Sequence, residues 1–185
     1  VDPSGQDNEA IRTACFRGHT DIVRELLKYS CVDPSARDNV AIRMACLKGY
    51  LDITLELLKD RRVDPSAQDN YAIRMASFSG HSEIVRVLLE DSRVHPSTGD
   101  NRAICWASQY GRPEVVQILL KDSRVDPSVL NNQAIRLASR YGHADVVRVL
   151  LKDSRVDPSA DFNYAMRSAK SNGHYKVVEE LSKYL

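Results

Sequence analysis

The chain has 185 residues, 28% of them charged, with 26 Lys and Arg against 25 Asp and Glu and a formal net charge of +1. That balance excludes a global basic field for nucleic acid, and no apolar run reaches the about 18 residues of a membrane span. The four cysteines show no CxxC or Cys/His ligand spacing, so no metal or cofactor is implied and a reducing intracellular compartment, cytoplasm or nucleus, is expected.

One block recurs through the whole sequence. Val63 to Arg93 reads VDPSAQDNYAIRMASFSGHSEIVRVLLEDSR, and close copies begin at Val1, Val32, Val94, Val125 and Val156. The repeats are therefore 1–31, 32–62, 63–93, 94–124, 125–155 and 156–185, read as a single domain. Self-similarity at such a period marks an architecture in which each small supersecondary element rests on its neighbours.

Within one repeat the elements follow in order. Asp64-Pro65-Ser66 is a turn former, because proline fixes its own φ and biases the residue before it toward an extended conformation. Asn70 is read as the N-cap of a helix over 71–79, and Gly80 as its left-handed stop. A second helix is predicted from Ser82, because the fourth repeat has Pro113 in that slot and proline suits the first helical position. Its residues Ile84, Val85, Val87, Leu88 and Leu89 are apolar over most of the girth, so the helix must be covered on several sides. Such short helices are marginal alone, which predicts packing of each repeat against the next.

The pattern D-N-x-A-I-R-x-A-S-x-x-G-H-x-x-V-V-x-x-L-L resembles the ankyrin repeat, most specifically from Ala76 to Leu89. The departures are systematic: Tyr71-Ala72-Ile73-Arg74 stands where the family has Thr-Pro-Leu-His, and each repeat is two residues shorter than usual. The shortened, Asp-Pro-containing form is similar to repeats of large ankyrin arrays in amoebae and giant viruses. The resemblance implies an all-α solenoid of six helix-turn-helix repeats joined by hairpin-like loops. It further implies a non-catalytic, monomeric module that binds another protein or peptide through a concave surface of first helices and loop tips.

Taken along the chain, the repeats differ in informative places. Thr13 in the first and Ser168 and Ser182 in the sixth replace apolar residues of the interior repeats, as expected of caps facing water. Val1 falls in phase with the repeat and no initiator methionine precedes it, so the chain is expected to be cut from a longer array. Cys15 and Cys46 share one slot in adjacent repeats, where a stacking distance of roughly 8–10 Å exceeds the roughly 7 Å limit for a disulfide. The second-slot aspartates (Asp2, Asp33, Asp64, Asp126, Asp157) and twelfth-slot arginines (Arg12, Arg43, Arg74, Arg136, Arg167) are lost together in the fourth repeat, as His95 and Cys105. The joint loss suggests that each arginine reaches a neighbouring loop and bonds its Asp carboxylate and carbonyls.

The histidines after the glycine, His19, His81, His143 and His174, form a ladder, which fits a structural role better than catalysis. Mapping the family's binding face onto this sequence selects Phe16, Val40, Leu47, Tyr71, Phe78, Arg102, Tyr110, Arg140 and Tyr141. Aromatic and arginine side chains are enriched at interface hot spots. The alternative for Phe16, Leu47 and Phe78 is packing between repeats. At the loop tips Val129, Leu130 and Phe162 are apolar, where other repeats carry Gln6, Arg37 or Gln68. The competing readings are a structural spacer within a longer array and, with little in the residues to favour it, an enzyme or nucleic-acid binder.

Overall fold

The computed structural model describes residues 4–185. Val1, Asp2 and Pro3 lie outside the described residues, as does the side chain of Gln6. The described residues form twelve helices: α1 (Gly5–Arg17), α2 (Thr20–Leu26), α3 (Ala36–Lys48), α4 (Leu51–Leu58), α5 (Ala67–Ser79), α6 (Ser82–Glu90), α7 (Thr98–Gln109), α8 (Pro113–Leu120), α9 (Val129–Arg140), α10 (Ala144–Leu150), α11 (Ala160–Ser171) and α12 (Tyr175–Leu181). There is one pair per repeat.

Two compact units are present. The first takes the described residues up to Ala76 together with Glu83–His95, and the second takes Ser77–Ser82 and Pro96–Leu185. In the first, α1 packs on α2 and α3, and α4 on α2 and α3. In the second, α9 lies between α7 and α11, and α10 between α8 and α12. The rule is the same in both: a first helix touches its own second helix and its counterpart in the adjoining repeat. Ile42, Ile53, Leu57, Ile73, Ile84 and Leu88 are fully buried in the first unit, as are Ile104, Leu119, Ile135, Leu150 and Leu181 in the second.

Second helices begin in the same slot in every repeat, at Thr20, Leu51, Ser82, Pro113, Ala144 and Tyr175, as the position of Pro113 predicts. The glycine two residues earlier is left-handed throughout, and in the fourth and fifth repeats it is also a point of close approach. A Cβ on Gly111 would stand 2.6 Å from His143 Nδ1, and one on Gly142 2.7 Å from His174 Nδ1. Glycine is thus required there by φ and by space together.

The start of the first helix differs from its expectation. Asn70 has φ 56° and ψ 42°, and Gln68 and Asp69 before it are also left-handed. An N-cap residue has β-region backbone. One left-handed turn therefore precedes the right-handed helix, and the same three slots repeat it in α3, α7, α9 and α11. The turn closes through an amide-to-carbonyl bond four residues back, from Asn39 to Ser35 at 2.8 Å and from Asn132 to Ser128 at 2.9 Å.

Left-handed backbone costs roughly 1–2 kcal/mol per non-glycine residue, so three in succession require compensation. The asparagine supplies part of it by reaching the following repeat. Asn8 Oδ1 accepts from the Asp33 amide (2.6 Å), Asn39 from Asp64 (2.7 Å), Asn70 from His95 (2.7 Å), Asn101 from Asp126 (2.9 Å) and Asn132 from Asp157 (2.8 Å). All five asparagines are buried, so the bonds are shielded from competing water.

The Asp-Pro-Ser segment holds its own shape. Asp64 Oδ1 accepts from both the amide and the hydroxyl of Ser66, at 2.8 and 2.6 Å. At the repeat end, Arg93 clips Asp91 with two bonds of 2.9 and 2.6 Å and donates to the Val63 carbonyl at 2.7 Å. Arg62 and Arg155 make the same clip and reach Val32 and Val125. Side-chain hydrogen bonding from the paired arginine, more than burial opposes it, holds Asp60, Asp91, Asp122 and Asp153 below the ordinary aspartate range.

Two stability predictions follow from these contacts. Asn132→Ala should lower unfolding free energy in urea by about 2 kcal/mol, since it leaves the Asp157 amide unpaired and keeps a left-handed residue without a polar side chain. Asn132→Gly, which tolerates the backbone, should cost less. The clipped aspartates have depressed folded pKa values, so their contribution is present above the unfolded value of about 4 and is lost as pH falls below it. The urea midpoint should therefore fall between about pH 5 and pH 3, and Asp91→Asn should flatten that dependence.

Candidate binding site

The sequence-selected residues lie on the first helices, and the structure separates them by exposure. Phe16 (50%), Tyr110 (43%) and Tyr141 (46%) are open to solvent, as are Arg102 and Arg140, whereas Val40, Leu47, Tyr71 and Phe78 are half-buried. Phe16 carries the Lys48 ammonium over its ring at 4.8 Å. Phe78 is packed, edge to face, against Tyr110 at 4.3 Å and Trp106 at 6.4 Å between ring centres. Packing against the adjoining repeat is thus the answer for Phe78, and exposure the answer for Phe16. Arg140 lies 5.8 Å from the Tyr141 ring centre, a cation beside an exposed aromatic. The loop-tip residues Leu130 (53%) and Phe162 (88%) are also exposed, both within left-handed turns.

The twelfth-slot arginines have a different partner from the one expected. Arg43 donates to the Arg37 carbonyl at 3.2 Å, Arg74 to Gln68 at 2.9 Å, Arg136 to Leu130 at 3.2 Å and Arg167 to Asp161 at 3.2 Å. Each of these carbonyls is the first of the left-handed turn in the arginine's own repeat. The second-slot carboxylates Asp33, Asp64, Asp126 and Asp157 instead accept from Ser35, Ser66, Ser128 and Ser159. A carbonyl partner is thus found, in the arginine's own repeat, whereas the second-slot aspartates are bonded by the serine two residues on. Asp2 lies outside the described residues. Two of the arginines also lie against a tyrosine of the next repeat, Arg43 with Tyr71 at 5.3 Å and Arg136 with Tyr164 at 4.7 Å.

The fourth repeat breaks this pattern. Cys105 is buried, its thiol pushed up to about 12 by desolvation, and its Sγ lies 3.5 Å from Gln133 Oε1. The first residue of its left-handed turn is Gly99 (φ 62°). Glycine adopts that backbone freely, so the turn is kept without the guanidinium. A cavity of about 290 Å³ is bordered by Gly99, Asp100, Arg102, Cys105, Trp106 and Gln133 among others. Sequence reasoning maps Gln133 to the first-helix face and Trp106 to an interior slot without selecting either, and misses Gly99; the available signal was that the sixth slot holds glycine only in the repeat that lacks the arginine.

The ladder after the glycine is structural where its contacts are seen. His143 Nε2 donates to the Gln109 carbonyl at 2.8 Å, His174 Nε2 to Arg140 at 2.9 Å, and Arg112 Nε to Phe78 at 3.1 Å. Each bond ties a second-helix start to the first helix of the preceding repeat. Among the described residues no group of three or more His, Cys, Asp or Glu could hold a metal ion, and no helix is long and apolar enough to cross a membrane.

Comparison with known proteins agrees with this geometry. A family model described as ankyrin repeats (3 copies) matches residues 44–131 and 104–184, and one described as ankyrin repeat matches residues 8–39. The chain belongs to the ankyrin-repeat family and has its all-α solenoid fold. The crystal structure of EF0377, an ankyrin repeat protein, is similar at 24% identity and TM-score 0.73, covering 95% of this chain and 98% of that one. The human ASB11 ankyrin repeat domain is similar at 19% identity and TM-score 0.78, covering 94% and 82%. No curated protein matches the sequence significantly. Ankyrin repeats are generally protein-interaction modules.

The aromatic contact of the second unit can be measured. A double-mutant cycle between Phe78→Ala and Tyr110→Ala should give a coupling of about 1 kcal/mol in urea unfolding, as expected for an edge-to-face pair.

Proposed function

We propose that this protein is an intracellular binding module that presents first-helix side chains to another protein or peptide and carries out no chemistry itself. The observation that supports this most is the exposed set on the second unit, Tyr110, Arg140 and Tyr141, which the fold does not need to bury. Aromatic side chains lose little freedom on contact, arginine brings a planar fork of donors, and both are enriched at interface hot spots. Phe16 and the half-buried Val40, Leu47 and Tyr71 supply a comparable face on the first unit. The buried thiols of Cys15, Cys46 and Cys105, pushed up to about 12, are poor nucleophiles, which agrees with binding and not catalysis.

The test is differential capture from a native extract. Wild-type protein should retain a partner that the double variant Arg140→Ala, Tyr141→Ala loses and that Tyr175→Ala, altered at the exposed start of α12, keeps. Recovery of nothing that depends on Arg140, Tyr141 or Phe16 would instead favour a spacer.

A further inference from the structure

We propose that the cavity beside Gly99 and Cys105 receives the guanidinium of an arginine side chain supplied by a bound protein or peptide. The inference rests on the binding reading above and adds the chemistry of one contact.

The protein itself provides the template. In the second, third, fifth and sixth repeats an arginine at the twelfth slot donates to the first carbonyl of the left-handed turn. In the first repeat Arg12 donates to the Asp7 carbonyl, the second of that turn, at 3.0 Å. The fourth repeat keeps the turn, with Gly99, Asp100 and Asn101 all left-handed, but has the short Cys105 where the guanidinium would arise. The carbonyl geometry that binds a guanidinium elsewhere is therefore present without the residue that uses it.

The space is of the right size and lining. Its volume of about 290 Å³ lies at the small end of ligand pockets, which suits one side chain better than a whole cofactor. Gln133 offers Oε1 where Cys105 now makes only a weak contact at 3.5 Å. The Trp106 ring provides an aromatic face, already approached by Arg102 at 5.9 Å, and Asp100 offsets the charge of Arg102. A guanidinium has five donors in a planar fork and can serve a carbonyl, an amide oxygen and a ring face together, whereas an ammonium gathers three donors on one strongly hydrated atom and lacks the planar face that stacks.

Trp106 is the only tryptophan in the chain, so its indole N–H gives a single assigned signal at the cavity wall in a proton–nitrogen NMR spectrum. A blocked tripeptide with central arginine should shift that signal saturably, and matched peptides with lysine, citrulline or glutamate should bind at least about tenfold more weakly. Cys105→Arg, which restores the residue type found in the other repeats, should abolish the shift while far-UV circular dichroism stays unchanged. Gln133→Ala, a second variant less disruptive to packing, should weaken the arginine peptide several-fold. An unresponsive Trp106 signal, an equal response to lysine or glutamate, or a response that survives Cys105→Arg would overturn the proposal. Partner capture that depends on Arg140 and Tyr141, with an unresponsive Trp106, would sink this contact and leave the binding module standing.

Discussion

The structure depends on a single recurring bond, from the amide that follows the valine at a repeat start to the buried asparagine of the repeat before it. Among the described residues five such bonds are present, between 2.6 and 2.9 Å. In all five the asparagine backbone is left-handed. Unpaired, a buried amide costs about 1–3 kcal/mol, so each repeat needs a neighbour for reasons beyond apolar burial.

The cost of that backbone explains the arginines. A guanidinium that donates to the first carbonyl of the turn, as Arg43 and Arg136 do, holds the left-handed segment from the helix it introduces. Where the segment begins with glycine, as at Gly99, the strain falls and the arginine is absent. The departure of the fourth repeat is thus a substitution of one stabilising device for another. Function in a repeat protein can arise at such a place, since a position released from structural duty is free to serve a partner.

The ladder of His143, His174 and Arg112 shows the opposite case. These residues look reactive or charged in sequence, yet each is committed to a backbone carbonyl of the preceding repeat. Gly111 and Gly142 clear the room for the two histidines. Phe78 is similar: apolar and near the binding face, it is largely engaged with Tyr110 and Trp106. Exposure of Tyr141 and Arg140 therefore carries more weight for recognition than aromatic character alone.

The sequence by itself determined the repeat period, the two helices of each repeat, the glycine between them and the second-helix start marked by Pro113, because these follow from local sterics and apolar spacing. Tertiary structure alone decided what Asn70, Arg74 and Cys105 do. Asparagine suits both an N-cap and a left-handed turn, and the structure has the second, from which Asn70 accepts the amide of His95, 25 residues on. Arginine could reach an aspartate or a carbonyl, and in the structure Arg74 donates to the Gln68 carbonyl while Asp64 accepts from Ser66. A cavity has no local signature at all, since it consists of a side chain missing from one repeat and neighbours that do not close in from the next.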